Sequence, residues 1–400
     1  MKIAVLGAGA MGQVTIFDLV ESSGVSEVLI ADLNLDRAEE LKAQLKSSKI
    51  KTAKADVQNV EALASLLSSW DAVVNCSPYV FNLNVMEAAL KAGCHYLDLG
   101  GLFHVTRKQM ELDEKFRAKK LLAVLGMGAA PGMTNVMAAC AADEMDKVEN
   151  IDIFAASVDL VSHSHPFLPP YSLDTILDEY FLSPYVFEDG EFKEVPPMSG
   201  EMIHDFPAPV GRAASFLTLH SEVATLPLTY KNKGVRRVTY RLGLPTAFHE
   251  RCKFLVDLGF GVKTALKVDG VEIKPRRILA SMIAAHNVPT ADPDDCEVIR
   301  VDVTGSKNGR QILSRLETTV LAHKEWKMSC GALDTGVPPS IVAQMICSGQ
   351  VKETGVQAPE QCVPPQAFFN ELAKRGIEMR KITDEVLACA SEQKLSAACK

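Results

Sequence analysis

The sequence predicts an α/β protein: a doubly wound parallel sheet, followed by a second α+β domain with a mixed sheet. Three observations lead there. The strand Lys2–Leu6 runs directly into Gly7, Gly9 and Gly12, in the spacing G-x-G-x-x-G, and then into the apolar helix Gln13–Leu19. Strands and helices then alternate as far as Leu125, the pattern of a parallel sheet with helices on both faces. After Gly126 the alternation gives way to strands separated by long, proline-rich loops.

The glycine spacing has a physical meaning at each position. The first makes a tight turn, the second lets backbone approach a pyrophosphate, and the third lets the helix pack on the strand. Phosphates then lie at a helix N-terminus, where free N–H groups and the helix dipole favour negative charge. A Rossmann-type dinucleotide domain follows, with Gly7, Gly9, Ala10, Met11 and Gly12 at the phosphates. Asp32 closes the next buried run, Val28–Ala31. A carboxylate there accepts from the ribose hydroxyls and repels a 2′-phosphate, which favours NAD without excluding NADP.

Helix Asp36–Leu45 precedes the strand Lys51–Val57, whose end, Asp56-Val57, is expected beside an adenine. Helix Val60–Ser68 leads to the buried strand Asp71–Asn75, which breaks at Cys76-Ser77-Pro78. In doubly wound sheets such a turn lies at the carboxyl edge, where the nicotinamide is expected. Helix Asn82–Ala92, strand His95–Leu99, the turn Gly100-Gly101, helix Lys108–Lys119 and strand Leu121–Leu125 complete the alternation. Residues 1–125 thus read as the cofactor domain.

Beyond it, helix Thr134–Met145 is followed by strands at Arg237–Leu242, Val262–Val268, Glu297–Thr304 and Gln311–Leu321. Pro184 to Pro209 reads as irregular, and Asp269-Gly270 as a hairpin turn. Residues 126–335 form the expected substrate-binding and dimerisation domain. The helices Pro338–Cys347 and Pro365–Arg375 mark 336–400 as a helical segment that returns to the first domain.

Composition narrows the function. The 400 residues, 47% hydrophobic and 23% charged, suit a globular enzyme of two or three domains. A net charge of −8 without a dense basic run speaks against nucleic acid as a partner. No apolar run is long enough to span a membrane, and the chain opens on its first strand, so a cytoplasmic protein is expected. The ten cysteines form no C-x-x-C pair and read as reduced and mostly buried. His163-Ser164-His165 has ligand-like spacing but no third partner, so no metal is expected.

Four residues are the candidates for chemistry. Asp98, at the end of a parallel strand, either receives a substrate ammonium or caps the turn at Gly100-Gly101. His220 suits proton transfer near neutral pH, with Glu222 to orient it or bind an amine. Arg241 is either a fork for a substrate carboxylate or an outward-facing strand residue.

The motifs Val5–Gly12, Leu97–Gly101, Ala130–Met133, Val271–Arg276 and Gly336–Ala343, in this order, resemble the saccharopine dehydrogenase-like family, and most nearly its lysine 6-dehydrogenase branch. The resemblance implies an NAD(P) domain completed by the C-terminal segment, usually a homodimer, and hydride transfer at a carbon bearing nitrogen. It implies oxidative deamination of a small amino acid at a terminal amine, lysine first. The alternatives are a reductase of the saccharopine or carboxyspermidine type, acting on a secondary amine, and a non-catalytic NAD(P)-binding redox sensor. His220-Ser221-Glu222 departs from the lysine branch, where a threonine- and glycine-rich turn is expected.

Overall fold

Alternate residues of the N-terminal strands face opposite sides, and each side has its own apolar cover. In the computed structural model, which describes residues 1–161, 167–285 and 292–385, the first six strands are β1 (Lys2–Leu6), β2 (Glu27–Asp32), β3 (Ile50–Lys54), β4 (Ala72–Asn75), β5 (His95–Asp98) and β6 (Leu122–Val124). They pair in parallel in the order β3-β2-β1-β4-β5-β6, with register Lys2↔Glu27 on one side of β1 and Ile3↔Ala72 on the other. Ala4, Leu6, Leu29, Val73 and Tyr96 pack one face. Ile3, Val5, Val28, Val74 and Leu97 pack the other, in a core that runs on without a break into the second domain.

That domain contains β7 (Lys147–Asp159), β8 (Tyr185–Glu188), β9 (Glu191–Glu194), β10 (Met202–Asp205), β11 (Arg212–Leu217), β12 (Arg237–Gly243), β13 (Leu266–Val268), β14 (Val271–Ile273), β15 (Asp295–Lys307) and β16 (Arg310–Leu321). The C-terminal part adds β17 (Gly355–Gln357) and β18 (Arg380–Glu385). The large sheet has the path β10-β11-β12-β7-β15-β16-β18, with β8 and β9 beside β12. It is mixed: β12 and β7 are parallel and its other pairings antiparallel. Its inner face, with Ile153, Val238, Tyr240, Ile299 and Val301, belongs to the core shared with the first domain. The expected α/β fold with a second mixed sheet is what the chain forms.

Several local expectations differ from the structure. The stretch Pro184 to Pro209 is not irregular, since it carries β8, β9 and β10. Asp189 and Gly190 both have positive φ between β8 and β9, the two-residue hairpin chemistry that Asp269 and Gly270 repeat between β13 and β14. The strand placed at Val262–Val268 shrinks to β13 in an isolated hairpin. Helix Lys108–Lys119 is two helices, Leu102–Met110 and Asp113–Ala118.

The C-terminal part is only partly helical. Its first helix begins at Cys330 rather than Pro338 and keeps Pro338 and Pro339 inside. It lies against helix Ala10–Glu21 so closely that a Cβ on Gly336 would fall 2.6 Å from the Met11 carbonyl oxygen. Thr15 Oγ1 donates to the Gly336 carbonyl at 2.8 Å. Asp18, 5% exposed, accepts from Ser340 Oγ and from the Arg375 guanidinium. Strand β17 extends the parallel sheet beside β6, whereas β18 crosses to the second sheet and pairs with β16.

The eight described cysteines are all free thiols. Among the described residues no helix is long and apolar enough to cross a membrane. Asp18→Asn leaves the Arg375 charge without its buried counter-ion and is expected to cost about 3 kcal/mol, read as a lower midpoint in urea unfolding followed by tryptophan fluorescence.

Candidate active site

All the residues assigned to cofactor binding gather at the carboxyl edge of the parallel sheet. Beyond β1, the peptide of Gly9 is exposed, and a Cβ there would meet nothing within 4 Å, so space lies open above the loop. A Cβ on Gly12 would sit 1.9 Å from the Gly7 carbonyl oxygen, so helix Ala10–Glu21 can approach only because that residue is glycine. This helix has no acidic residue in its first turn and no side-chain cap. The free N–H groups, with Ala10 and Met11, therefore fit a pyrophosphate. Asp32 accepts from Ala8 N at 2.7 Å and Asn34 N at 2.8 Å and stays partly exposed beside the loop. Asp56, exposed past β3, accepts from Gln58 N, and Val57 packs at the edge of the core.

Past β4, Cys76 lies beneath the glycine turn, 3.9 Å from Thr15 Oγ1, and burial pushes its thiol up to about 12. At neutral pH it is an uncharged packing group rather than a nucleophile. Ser77 is held through its N and Oγ by Asn75 Oδ1, and Asn75 donates to Asn82. Pro78 is exposed, and Tyr79 just after it donates to Asp178 Oδ2 at 2.6 Å, joining this turn to helix Leu173–Phe181 of the second domain.

Asp98 occupies the turn rather than the substrate. It is 0% exposed. Its carboxylate accepts from Gly100 N (2.8 Å), Gly126 N (2.7 Å), Tyr96 Oη (2.8 Å), Gln109 Nε2 (2.6 Å) and Asn82 Nδ2 (3.1 Å). Burial raises its pKa, and these donors oppose the rise. The geometry leaves no room for an ammonium, which corrects the assignment of Asp98 as a group that meets the substrate.

Arg241 also departs from its proposed place. Strand alternation sends Tyr240 to the inner face of the second sheet and Arg241 to the outer one. There it donates to Thr239 Oγ1 at 2.7 Å and to the Gly200 carbonyl at 3.1 Å, and lies 4.0 Å from Asp152. It does not converge with His220.

His220 and Glu222 do come together. The Ser221 hydroxyl between them accepts from Gly101 N and Thr106 Oγ1 and donates to the Leu102 carbonyl, which docks the loop on the turn after β5. Glu222, 0% exposed, opens helix Glu222–Thr229 and accepts from Thr134 Oγ1 at 2.9 Å. Its second oxygen meets His220 Nδ1 at 2.6 Å, while the ring stacks on Tyr240 with centroids 3.7 Å apart. Burial opposes charge on the ring, but Glu222, supported by Glu179 and Glu297, outweighs it and raises the His220 pKa. The arrangement holds Nδ1 on the carboxylate and leaves Nε2 without a protein partner among the described residues.

Three further acids, which the sequence reading passed over, share this cleft. Glu179, 3% exposed, accepts from Tyr171 Oη, and burial pushes its pKa up to about 7 against the pull of His220. Glu297 projects from β15, partly exposed, and contacts Asp334, fully buried in helix Cys330–Cys347. Tyr240 feels all of Glu222, Glu179, Glu297 and Asp334. Among the described residues none of these acids is salt-bridged to lysine or arginine, and no group of three His, Cys, Asp or Glu side chains could hold a metal ion. His163 and His165 lie outside the described residues.

Residues 3–124 match the model of the saccharopine dehydrogenase NADP binding domain, and residues 128–377 that of the saccharopine dehydrogenase C-terminal domain. Carboxyaminopropylagmatine dehydrogenase from Synechocystis sp. is 23% identical over 96% of this chain and 98% of its own. Carboxynorspermidine synthase from Vibrio cholerae is 25% identical over 94% and 96%. Saccharopine dehydrogenase (L-Glu forming) from Saccharomyces cerevisiae, 18% identical, superposes with a TM-score of 0.75 over 96% of this chain and 99% of that one.

The roles of Asp98 and Arg241 separate by experiment. Asp98→Asn sets an amide NH2 among buried donors and is expected to lower unfolding free energy by about 3 kcal/mol in urea titration. Arg241→Met, on the far face, is expected to leave turnover within about threefold, because it removes no group from the cleft.

Proposed function

This chain belongs to the saccharopine dehydrogenase family and is an NAD(P)-dependent oxidoreductase acting on CH–NH or CH–NH2 donors; from that premise we propose that it interconverts a secondary amine bearing a cationic arm with an aldehyde and a primary amine. In the oxidative direction the balance is secondary ammonium, oxidised cofactor and water giving aldehyde, primary ammonium, reduced cofactor and a proton. The observation that carries the reading is the set of four carboxyl groups, Glu179, Glu222, Glu297 and Asp334, around the His220–Tyr240 stack without a paired lysine or arginine among the described residues.

Charge decides between substrates of this family. A saccharopine-type substrate is a tricarboxylate, which such a cleft repels, whereas a diamine or guanidine arm is attracted. Two relatives alike over nearly their full length carry agmatine and norspermidine in their names. Lysine is the second reading. It brings one ammonium for the acids, but the fork expected for its carboxylate, Arg241, is turned to the opposite face of the sheet.

The nicotinamide, when bound, gives or takes the hydride. The exposed peptides of Gly9 and Ala10, with that of Met11, would hold its pyrophosphate, Gly12 would let the helix close beneath it, and Asp32 would hold its ribose. His220, oriented by Glu222, takes a proton from the amine or the attacking water at Nε2 and returns it in the reverse direction. Ser221 keeps that pair against the β5 turn, so its distance from the cofactor edge is fixed by the first domain.

With reduced cofactor, wild-type protein is expected to turn over only when a diamine and an aldehyde are supplied together, followed by absorbance of the reduced nicotinamide. His220→Asn should lower kcat by about 100-fold with cofactor affinity retained. Because Glu179 gains its charge as pH rises through about 7, the KM for the diamine should fall across that range. Lysine oxidation without any aldehyde would instead establish the second reading. Asp32 supports NAD as the preferred cofactor, and Asp32→Ala should shift the kcat/KM ratio toward NADP by about tenfold.

A further inference from the structure

Glu297 and Asp334 form an unusual contact within the cleft. Asp334 is 0% exposed, yet its Oδ2 has no hydrogen-bond donor, and Oδ1 has only the Thr335 hydroxyl at 3.3 Å. The side chain that meets it is Glu297, another carboxyl group. Two carboxylates cannot lie in contact when both are charged, so the pair holds one proton. Every neighbouring ionisable group works in the same direction or too weakly to relieve it. Asp295, on the same strand, adds negative charge and is itself engaged by Cys330 N at 2.8 Å. Glu179 lies within electrostatic reach of Glu297, and His220, the nearest cation, is already held by Glu222 at 2.6 Å.

The pair is also reachable. Glu297 is partly exposed, whereas Asp334 behind it is sealed. Its place in the cleft differs from that of the proton-transfer pair, since Glu297 comes from β15 and Asp334 from the helix that packs on the phosphate loop. A buried carboxyl group that no donor reaches except the proton it shares with an accessible neighbouring acid is suited to a cation that arrives with the ligand.

We propose that Glu297 and Asp334 form the subsite for a second cationic nitrogen of the substrate, distinct from the nitrogen at which hydride transfer occurs, and that an ammonium or guanidinium bound there displaces the shared proton to solvent. This rests on the reading of the cleft as an amine site and names its substrate class: compounds with at least two cationic nitrogens. The balance is simple. One carboxylic acid, one carboxylate and one organic cation become two carboxylates around that cation plus one proton released.

The test is calorimetric binding of putrescine and of n-butylamine to the protein saturated with oxidised cofactor, at pH 7, in buffers of different ionisation enthalpy. Putrescine should release close to one proton per molecule bound and n-butylamine none. Glu297→Gln, whose amide can donate to Asp334 without a shared proton, should weaken putrescine by at least about tenfold, abolish the proton release and leave n-butylamine unchanged. Asp334→Asn should reproduce this, with cofactor affinity as the check on folding. Equal affinity for the two amines, or putrescine binding unaltered in Glu297→Gln, overturns the subsite. If putrescine binds with proton release but no amine and aldehyde pair is turned over, the subsite stands and the proposed reaction fails.

Discussion

The buried carboxylate of Asp98 holds the ligand edge of this protein together. An isolated charge in such a place would be prohibitive, and only a full set of donors makes it tolerable. Those donors come from β5 itself, the turn after it, the start of the second domain at Gly126, and the helices that carry Asn82 and Gln109. The carboxylate thereby fixes the ends of β4 and β5 relative to each other, because Asn82 also binds Asn75, and Asn75 in turn holds Ser77. On the outer side of the same turn sits Ser221, and with it the pair His220–Glu222. One satisfied buried charge therefore sets the distance between the carboxyl edge of the parallel sheet and the proposed proton-transfer group.

The cleft itself obeys the opposite logic. Around His220 and Tyr240 the acids are left short of partners, and their protonation is set by burial and by each other rather than by salt bridges. Buried acids without a lysine or arginine beside them carry a cost in stability, which fits the proposed ligand that supplies the missing positive charge. The outer face of the same sheet shows what ordinary neutralisation looks like. There Arg237 and Asp152, Arg300 and Glu317, and Arg315 and Asp302 pair across or along strands. The contrast between the two faces is a contrast between charge paired within the protein and charge left for the proposed ligand.

This division explains what was legible in the sequence. The phosphate loop could be read because its spacing encodes a backbone geometry, and the parallel sheet because each strand and helix carries a local period. The His220–Glu222 pair was legible because two polar residues so close in sequence share a loop. Glu179, Glu297 and Asp334 were not, since they come from three distant elements and meet only through the mixed sheet. Nor could the face of Arg241 be chosen without the register of β12 against β7, because a shift by one residue exchanges the two sides. The strands β8 and β9 were hidden by the prolines that flank them, Pro184 and Pro196-Pro197, although Asp189-Gly190 carried the same turn signal that was recognised at Asp269-Gly270.

The helix Cys330–Cys347 shows why local sequence rules fail where function is concentrated. Pro338 and Pro339 deprive the carbonyls of Asp334 and Thr335 of their usual helical partners, and Gly336 adds a further cost in propensity. Such a stretch would not form a helix alone. It holds because Ser329 caps it, because Gly336 lets it close against Met11, and because Asp18 binds Ser340 and Arg375 around it. The same turn that presses on the phosphate loop carries Asp334 into the cleft. Any shift of this helix therefore moves the support of the cofactor and the deepest acid together, so the two ends of the site are positioned by one element rather than by two domains that must find each other.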